Sequence, residues 1–463
     1  MTVPVLLQPG DAAAARRAIG LAGPLLLFAE AEEVFRVRIE GTRMRTFLAR
    51  RAGTSLEYWA GRHRIHLARS GLGHQVLSLL IQHGAREGLH SASEGLHSAR
   101  EGLHVGPGEA DDAPGLLAEE LRRSVCEAAA DAAGVIGSSA AIPHVTGELV
   151  RHVVATDDGD NGGRGDDRHR VKLLLAAHAA GGPPQARALR VVAGSSAASL
   201  LAAGEHRQAA AEVAKAAIAR SHAVPAPTGE MPVVLGPGSP ASLFHEVCGH
   251  GLEGDIASSP GAAYGPLIGE RVAGPALTIV DDPRAPQRAP LYAHDDEGEA
   301  ARETVLVDHG VVASVLADRT TARLLHQPAT GSGRRVGYQH PALTRMSCTY
   351  VKPGEVPPEA ALEGVRRGLY VAAIVSGETN MSGESFEART TEAYLIENGA
   401  LTRPVSDAVL TGRGLDLLRA VDVVCDDLRF LAYGFLCNKL GQFPLAVSVG
   451  QPTLRVRQLV VHA

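Results

Sequence analysis

The segment Phe244-His245-Glu246-Val247-Cys248-Gly249-His250-Gly251-Leu252-Glu253-Gly254-Asp255 gathers two imidazoles, three carboxylates and a thiol. Imidazole and thiolate are the ligand types of zinc, and a Glu beside the first His is the pattern of zinc proteases. The usual spacing is His-Glu-x-x-His, because residues four apart lie about 40° apart around a helix of 3.6 residues per turn. His245 and His250 are five apart, about 140° on the same helix. An undistorted helix therefore cannot aim both at one ion. Gly249 and Gly251 suggest the remedy, a bulge or a helix end that swings His250 back toward His245. The residues alone leave the third ligand open among Cys248, Cys425, Cys437, Glu253 and Asp255.

The elements that must position these groups come from a chain of 463 residues, long enough for two or three domains with cores of their own. Hydrophobic residues make up 45% and charged residues 21%, the balance of an ordinary globular protein. Aromatics are only 4%, so the core rests on Ala, Val and Leu. Lys and Arg number 45 against 51 Asp and Glu, a net charge of -6 that argues against a nucleic-acid binder. Five cysteines, an odd count, argue against a disulfide scaffold and for a reducing compartment. No apolar run is long enough for a membrane helix, and Ile19 to Ala29, broken by Pro24, reads as core helix or strand rather than a signal. Cytoplasmic location and no membrane association are the expectations.

Along the chain, residues 11–33 read as helix and 34–50 as strand. Residues 86–104 hold a seven-residue repeat, Glu-Gly-Leu-His, at Glu87, Glu94 and Glu101. Its glycines favour a duplicated surface insert over a metal-binding stripe of His90, His97 and His104. A helix is expected over 116–134. The Asp- and Gly-rich stretch 157–168 reads as a hairpin turn between strands at 150–155 and 171–175, not as a calcium loop. An Ala-rich helix follows over about 196–221, and the Pro-containing linker 222–229 ends this half. Beyond it lie short strand-like runs divided by Gly and Pro: 232–235, 276–280, 304–307, 311–316, 370–375, 392–397 and 446–449. The expected fold is α+β, with an N-terminal α/β domain over 1–224 and a C-terminal β-rich domain over 225–463.

The His-Glu-x-x-Gly-His-Gly-Leu-Glu-Gly-Asp stretch resembles the signature of the TldD/PmbA family of metallopeptidases, in its TldD branch. So do Met231–Gly236, Asp281-Asp282, Asp295-Asp296-Glu297-Gly298, Ala329–Arg335, Thr391–Gly399 and Val449–Leu454. The resemblance is dense over 225–463 and only general in layout before that. It implies Cys437, in Cys437-Asn438-Lys439-Leu440-Gly441-Gln442, as the third ligand of a Zn2+ held also by His245 and His250. It further implies Glu246 as general base, in a site whose fourth position is open. Arg334 or Arg335 could fork a substrate carboxylate, or make structural ion pairs. Glu253 and Asp255 are candidate supports for the metal-binding histidines.

Family members act on unfolded or modified peptides, commonly beside a PmbA/TldE-type subunit without the metal motif. A heterodimer is therefore expected, with a homodimer as the alternative. The chain departs from the family at 376–386, where a Gly-rich run is reduced and Glu378 and Asn380 stand as candidate substrate contacts, and at Phe443–Ala446. Zinc residues kept beside altered cleft segments imply kept hydrolysis with a changed substrate. One such substrate is a small N-acyl amino-acid or peptide-like intermediate of antibiotic biosynthesis. The rival of another class, a non-catalytic scaffold subunit, sits poorly with retention of His245, Glu246, His250 and Cys437.

Overall fold

The computed structural model describes residues 7, 11–19, 25–60, 63–72, 76–77, 79–80, 82, 117–160, 163–196, 200, 204–285, 290–379 and 385–463. The repeat at 86–104 lies outside them. The first half builds one antiparallel sheet from β1 (Leu25–Glu40), β2 (Arg43–Ala60), β3 (His63–Ser70), β4 (Ala141–Asp157), β5 (Arg164–Ala179) and β6 (Arg187–Gly194), in the order β3-β2-β1-β4-β5-β6. Alternation along the strands gives it two faces. Val37, Ile39, Val145, Leu149, Leu173 and Leu175 point to one side. The helices Glu119–Gly137 and Glu205–Arg220 cover that side, pressing Ala128, Ala129, Ala132, Ala210, Ala214 and Ala217 against it. Alanine-faced helices lie close to the sheet, which is how a core poor in aromatics fills its space.

Two readings of this half need correction. Among the described residues of 11–33, Asp11–Ile19 is helix, and Leu25–Glu40 is strand. Within that strand the acidic run Glu30-Ala31-Glu32-Glu33 holds two fully buried carboxylates, Glu30 and Glu33. Arg51 and His152 pair with Glu30, and Arg50 and Arg122 pair with Glu33. Buried carboxylates matched by cations from neighbouring elements let a charged stretch serve as a central strand. The Ala-rich helix expected over about 196–221 is not continuous: Glu205–Arg220 begins after Gly204, whose backbone is left-handed, and Leu200 ahead of it is helical, with 197–199 and 201–203 outside the described residues. The hairpin reading of 157–168 agrees with the β4–β5 connection.

The second half is β-rich, so the chain as a whole is α+β. Its strands are β7 (Gly229–Leu235), β8 (Ile279–Asp281), β9 (Thr304–Asp308), β10 (Val311–Val312), β11 (Gly333–Arg334), β12 (Leu343–Thr344), β13 (Cys348–Val351), β14 (Arg367–Thr379), β15 (Ser385–Glu397), β16 (Ala400–Pro404), β17 (Val409–Arg413), β18 (Val421–Val424), β19 (Arg429–Lys439), β20 (Gln442–Gln451) and β21 (Leu454–His462). One sheet runs β10-β9-β8-β13-β20-β19, which leaves β19 at an edge. Another runs β14-β7-β21-β17-β15-β16, and a further β14–β15 pairing closes five of its strands into a ring. The main apolar core includes Val233, Leu235, Val371, Ala388, Leu410 and Val456 from this ring, packed with Phe244, Val247, Cys248 and Leu252. No helix among the described residues is long and apolar enough to cross a membrane.

Buried polar contacts join the halves. Arg335 Nη1 donates to Glu57 Oε1 of β2 at 2.7 Å, and both side chains are fully buried. Arg168 of β5 meets Asp296 at 2.8 Å, and the Tyr338 amide donates to Glu30 Oε1 at 2.9 Å. Asp295 fixes the turn that presents Asp296 by accepting the Glu297, Glu299 and Gly333 amides. Glu57 also holds Arg64 and His66; burial opposes its ionisation, but Arg335 and Arg64, with His66 also against it, keep its carboxyl well below the usual range. Replacing Glu57 with Gln leaves Arg335 and Arg64 without their carboxylate. The expected loss of stability is about 3–5 kcal/mol. It would be measured by urea denaturation at neutral pH, and a loss under about 1 kcal/mol would show that the junction does not depend on this pair.

Candidate metal centre

The chain from Ser239 to Leu252 is helical throughout but changes pitch on the way. His245–Gly249 form a π-helical turn, in which the His250 amide donates to the His245 carbonyl. This five-residue bond widens the turn and brings positions five apart nearly into line. The two imidazole centroids lie 5.1 Å apart, edge to face. Phe244, Val247, Cys248 and Leu252 are turned into the core. Gly249 keeps helical angles, so it is not needed for an unusual backbone conformation. It is needed for space, since a Cβ there would stand 1.9 Å from Met346 Sδ.

Cys437 arrives from edge strand β19, 187 residues beyond His250. Its Sγ lies 3.4 Å from His250 Nε2. Ligand atoms of His245, His250 and Cys437 all lie within 4.8 Å of one another, and all three side chains are buried. Both ring nitrogens of His245 are buried without a hydrogen-bond partner. Orphaned imidazole nitrogens in a dry pocket are costly unless something binds them. Two imidazoles and a thiol are a donor set suited to zinc, with a fourth position left over. Burial opposes charge on Cys437, but the His250 and His245 imidazoles outweigh it and hold the thiol well below its ordinary range. A thiolate is the form that ligates metals.

Around this trio stands a charged support. His250 Nδ1 lies 2.9 Å from Glu253 Oε2, which leaves Nε2 to face Cys437. Lys439 Nζ, itself buried, lies 3.1 Å from Glu253 and donates to Asp255 Oδ1 at 2.7 Å and to the Thr344 carbonyl at 2.8 Å. Burial alone would raise the Glu253 carboxyl, yet Lys439 and His250 draw it down to about 2. Glu253 is thus ionised against His250 Nδ1, while Asp255 reaches the histidine only through Lys439. Lys439 and Cys437 share one side of β19 by the two-residue period of a strand. That period was the available signal for a lysine that reading the sequence had quoted without assigning a role.

Glu246 is buried beside the trio, and burial raises its carboxyl despite the two imidazoles. Gly377 of β14 faces it, where a Cβ would stand 3.0 Å from Glu246 Cγ. Phe435 packs edge-on against His245 with centroids 5.3 Å apart. It also lines a cavity of about 570 Å³ together with Ser239, Ala373, Ile374, Leu431 and Arg429. Phe435 thus stands between this cavity and His245. Sequence reading did not single out Phe435, Met346 or Arg345, which braces β19 by donating to the Cys437 carbonyl at 3.2 Å.

Other expected site residues lie elsewhere. Arg335 is locked to Glu57, and Arg334 donates to the Met346 and Ala446 carbonyls, so neither joins the trio. The Glu378 side chain and Asn380 lie outside the described residues. Cys248, Cys348 and Cys425 sit in apolar clusters, and Cys126 packs against the helices of the first half.

Residues 228–463 match the family model described as the PmbA/TldA metallopeptidase C-terminal domain. A Haemophilus influenzae protein named "Metalloprotease TldD homolog" is 38% identical over 253 residues, 54% of this chain and 52% of that one. A Saccharolobus solfataricus "Zinc metalloprotease TldD homolog" is 33% identical over 235 residues, 50% of this chain and 52% of that one. The matched region thus spans about half the length of these curated relatives. The crystal structure of TldE from Thermococcus kodakarensis superposes with a TM-score of 0.77 at 15% identity, covering 97% of this chain and 99% of that one, and shares the fold. The centre makes one prediction. Glu253→Ala, which frees His250 Nδ1, should weaken zinc binding about 10–100-fold. Competition with a chromophoric chelator measures this, and unchanged affinity would show that Glu253 does not orient His250.

Proposed function

The chain belongs to the PmbA/TldD metallopeptidase family, and on that premise we propose that it is a zinc-dependent amide hydrolase. The convergence of His245, His250 and Cys437 beside Glu246 carries this reading. Zinc held by the two imidazoles and the thiolate supplies Lewis acidity to an amide carbonyl and acidity to a water. Glu246 takes the proton of the attacking water and returns it to the departing nitrogen. Its buried position suits a carboxyl that must hold a proton between those two events. Glu253 fixes the ring of His250, and Lys439 keeps Glu253 charged.

The substrate is a modified or unfolded peptide in an extended form. Edge strand β19, which carries Cys437 and has a neighbouring strand on one side only within its sheet, supports this as the place where a guest strand adds. The cavity along Phe435 and Ile374 supports it by providing room beside Phe435, which packs on His245. A second reading, cleavage of a small N-acyl amino-acid conjugate, is favoured by one observation. The segment that departs from the family pattern begins at Ser376-Gly377, and Gly377 faces Glu246, where any larger side chain would press on it. Both readings assign the chemistry to residues 225–463 and foresee a TldE-type partner subunit.

Metal analysis of the purified chain tests the centre. About one zinc per chain is expected for wild type and for Glu246→Gln, with loss in Cys437→Ala and in His245→Ala. Glu246→Gln should lower kcat about 10²–10⁴-fold on a cleavable peptide or conjugate while zinc stays bound. Zinc-loaded wild type without turnover of either substrate class, partner present, would leave the scaffold role. A wild type that takes up no zinc would sink the hydrolase reading.

A further inference from the structure

A second cavity, of about 490 Å³, lies between the helix-free face of the first sheet and the β19–β20 hairpin. Seven of its lining residues are Arg or Lys and three are Asp or Glu. Glu148 alone answers three cations, with Arg36 Nε at 2.7 Å, Arg170 Nη2 at 3.4 Å and Lys172 Nζ at 3.6 Å. Arg334, only 7% exposed, spends its donors on two backbone carbonyls and makes no ion pair among the described residues. Its guanidinium sits 5.3 Å from the Tyr292 ring centroid, and that of Arg170 sits 5.4 Å from the Tyr433 centroid. The Nε atoms of Arg170 and of Arg335, itself 3% exposed, are buried without a partner. Burial holds the Lys172 ammonium below its ordinary range, helped by Arg170 and Arg36 and opposed by Glu148. Arg51, Arg168 and Arg335 are matched by Glu30 and Glu32, by Asp166 and Asp296, and by Glu57, so the surplus of positive charge rests on Arg36, Arg170 and Lys172, which share Glu148, and on Arg334.

The opposite wall is apolar. Leu436, Phe443 and Leu445 of the hairpin line it, with Leu436 and Phe443 46% and 55% exposed. Leu436 and Cys437 are consecutive on β19 and so point to opposite sides. The cavity therefore lies across the hairpin from the metal centre.

We propose that this cavity binds a small dianionic oxyanion, a phosphate monoester or a dicarboxylate, with its charged end held by Arg170 and Lys172 in the field of the Arg334 charge and its apolar body on Leu436 and Phe443. Planar guanidinium forks match the oxygens of such groups two at a time. A cleft lined by one sign of charge with low-dielectric walls concentrates the opposite ion. The site stands apart from the hydrolase reading, since none of these groups reaches His245, His250 or Cys437.

Isothermal titration of the full chain at fixed ionic strength tests it, with inorganic phosphate and succinate as probes. Saturable binding of one or both at one site is expected, and the preferred probe tells phosphate chemistry from dicarboxylate chemistry. Arg170→Gln/Lys172→Gln should weaken that Kd at least about tenfold. Glu148→Gln removes the competing carboxylate and should tighten it at least about threefold, the opposite direction from damage to the fold. Cys437→Ala should bind the anion as wild type does, whatever becomes of zinc. No saturable binding of either probe, an unchanged Kd in the double variant, or weaker binding in Glu148→Gln would each overturn the proposal.

Discussion

One backbone hydrogen bond governs the centre, from the His250 amide to the His245 carbonyl. A regular helix would send those rings about 140° apart. The widened turn brings them face to edge, and everything nearby accommodates that widening. Val247 and Cys248 drop into the core, Met346 fills the space above Gly249, and Glu246 is left facing β14. A π turn gives up regular helical geometry, which is why such turns persist where a function requires them.

Charge burial is the second constraint. Lys439, Glu253, His250 and Cys437 would each be costly to bury alone. Together they alternate in sign, Lys439 spends further donors on Asp255 and the Thr344 carbonyl, and Arg345 braces the Cys437 carbonyl. The same logic recurs at the junction of the halves, where Glu57 sits between Arg335, Arg64 and His66. In both places a cation from one element is completed by a carboxylate far away in sequence, so the polar interior specifies which surfaces meet.

Much of the centre was legible in the sequence because its chemistry is local. His245, Glu246 and His250 lie within six residues, and their spacing required a distorted helix. Cys437 was legible only through family resemblance, since nothing in spacing links it to His250 187 residues away. Gly249 was expected to relax the backbone, whereas it clears room for a sulfur that comes from elsewhere in the chain. Arg334 and Arg335 looked equivalent as a pair, and only the fold separates the one held by Glu57 from the one with no carboxylate. The helical reading of 11–33 failed from Leu25 on, where Glu30 and Glu33 sit buried in a strand. Their partners, Arg51, His152, Arg50 and Arg122, lie on other strands and on a helix. Patterns set by neighbours in sequence could be read; patterns set by partners across the fold could not.

The thiol at the centre belongs to the outermost strand of one sheet, while the imidazoles belong to a helical turn anchored in the core of another. Neither piece has three donors by itself. The centre is therefore a property of docking, and it comes into being only when β19 has seated against the turn. An ion that binds there also reports on assembly, because its affinity includes the free energy of joining the two surfaces. Loosening the hairpin anywhere along β19 and β20 would then release metal before any ligand residue is altered.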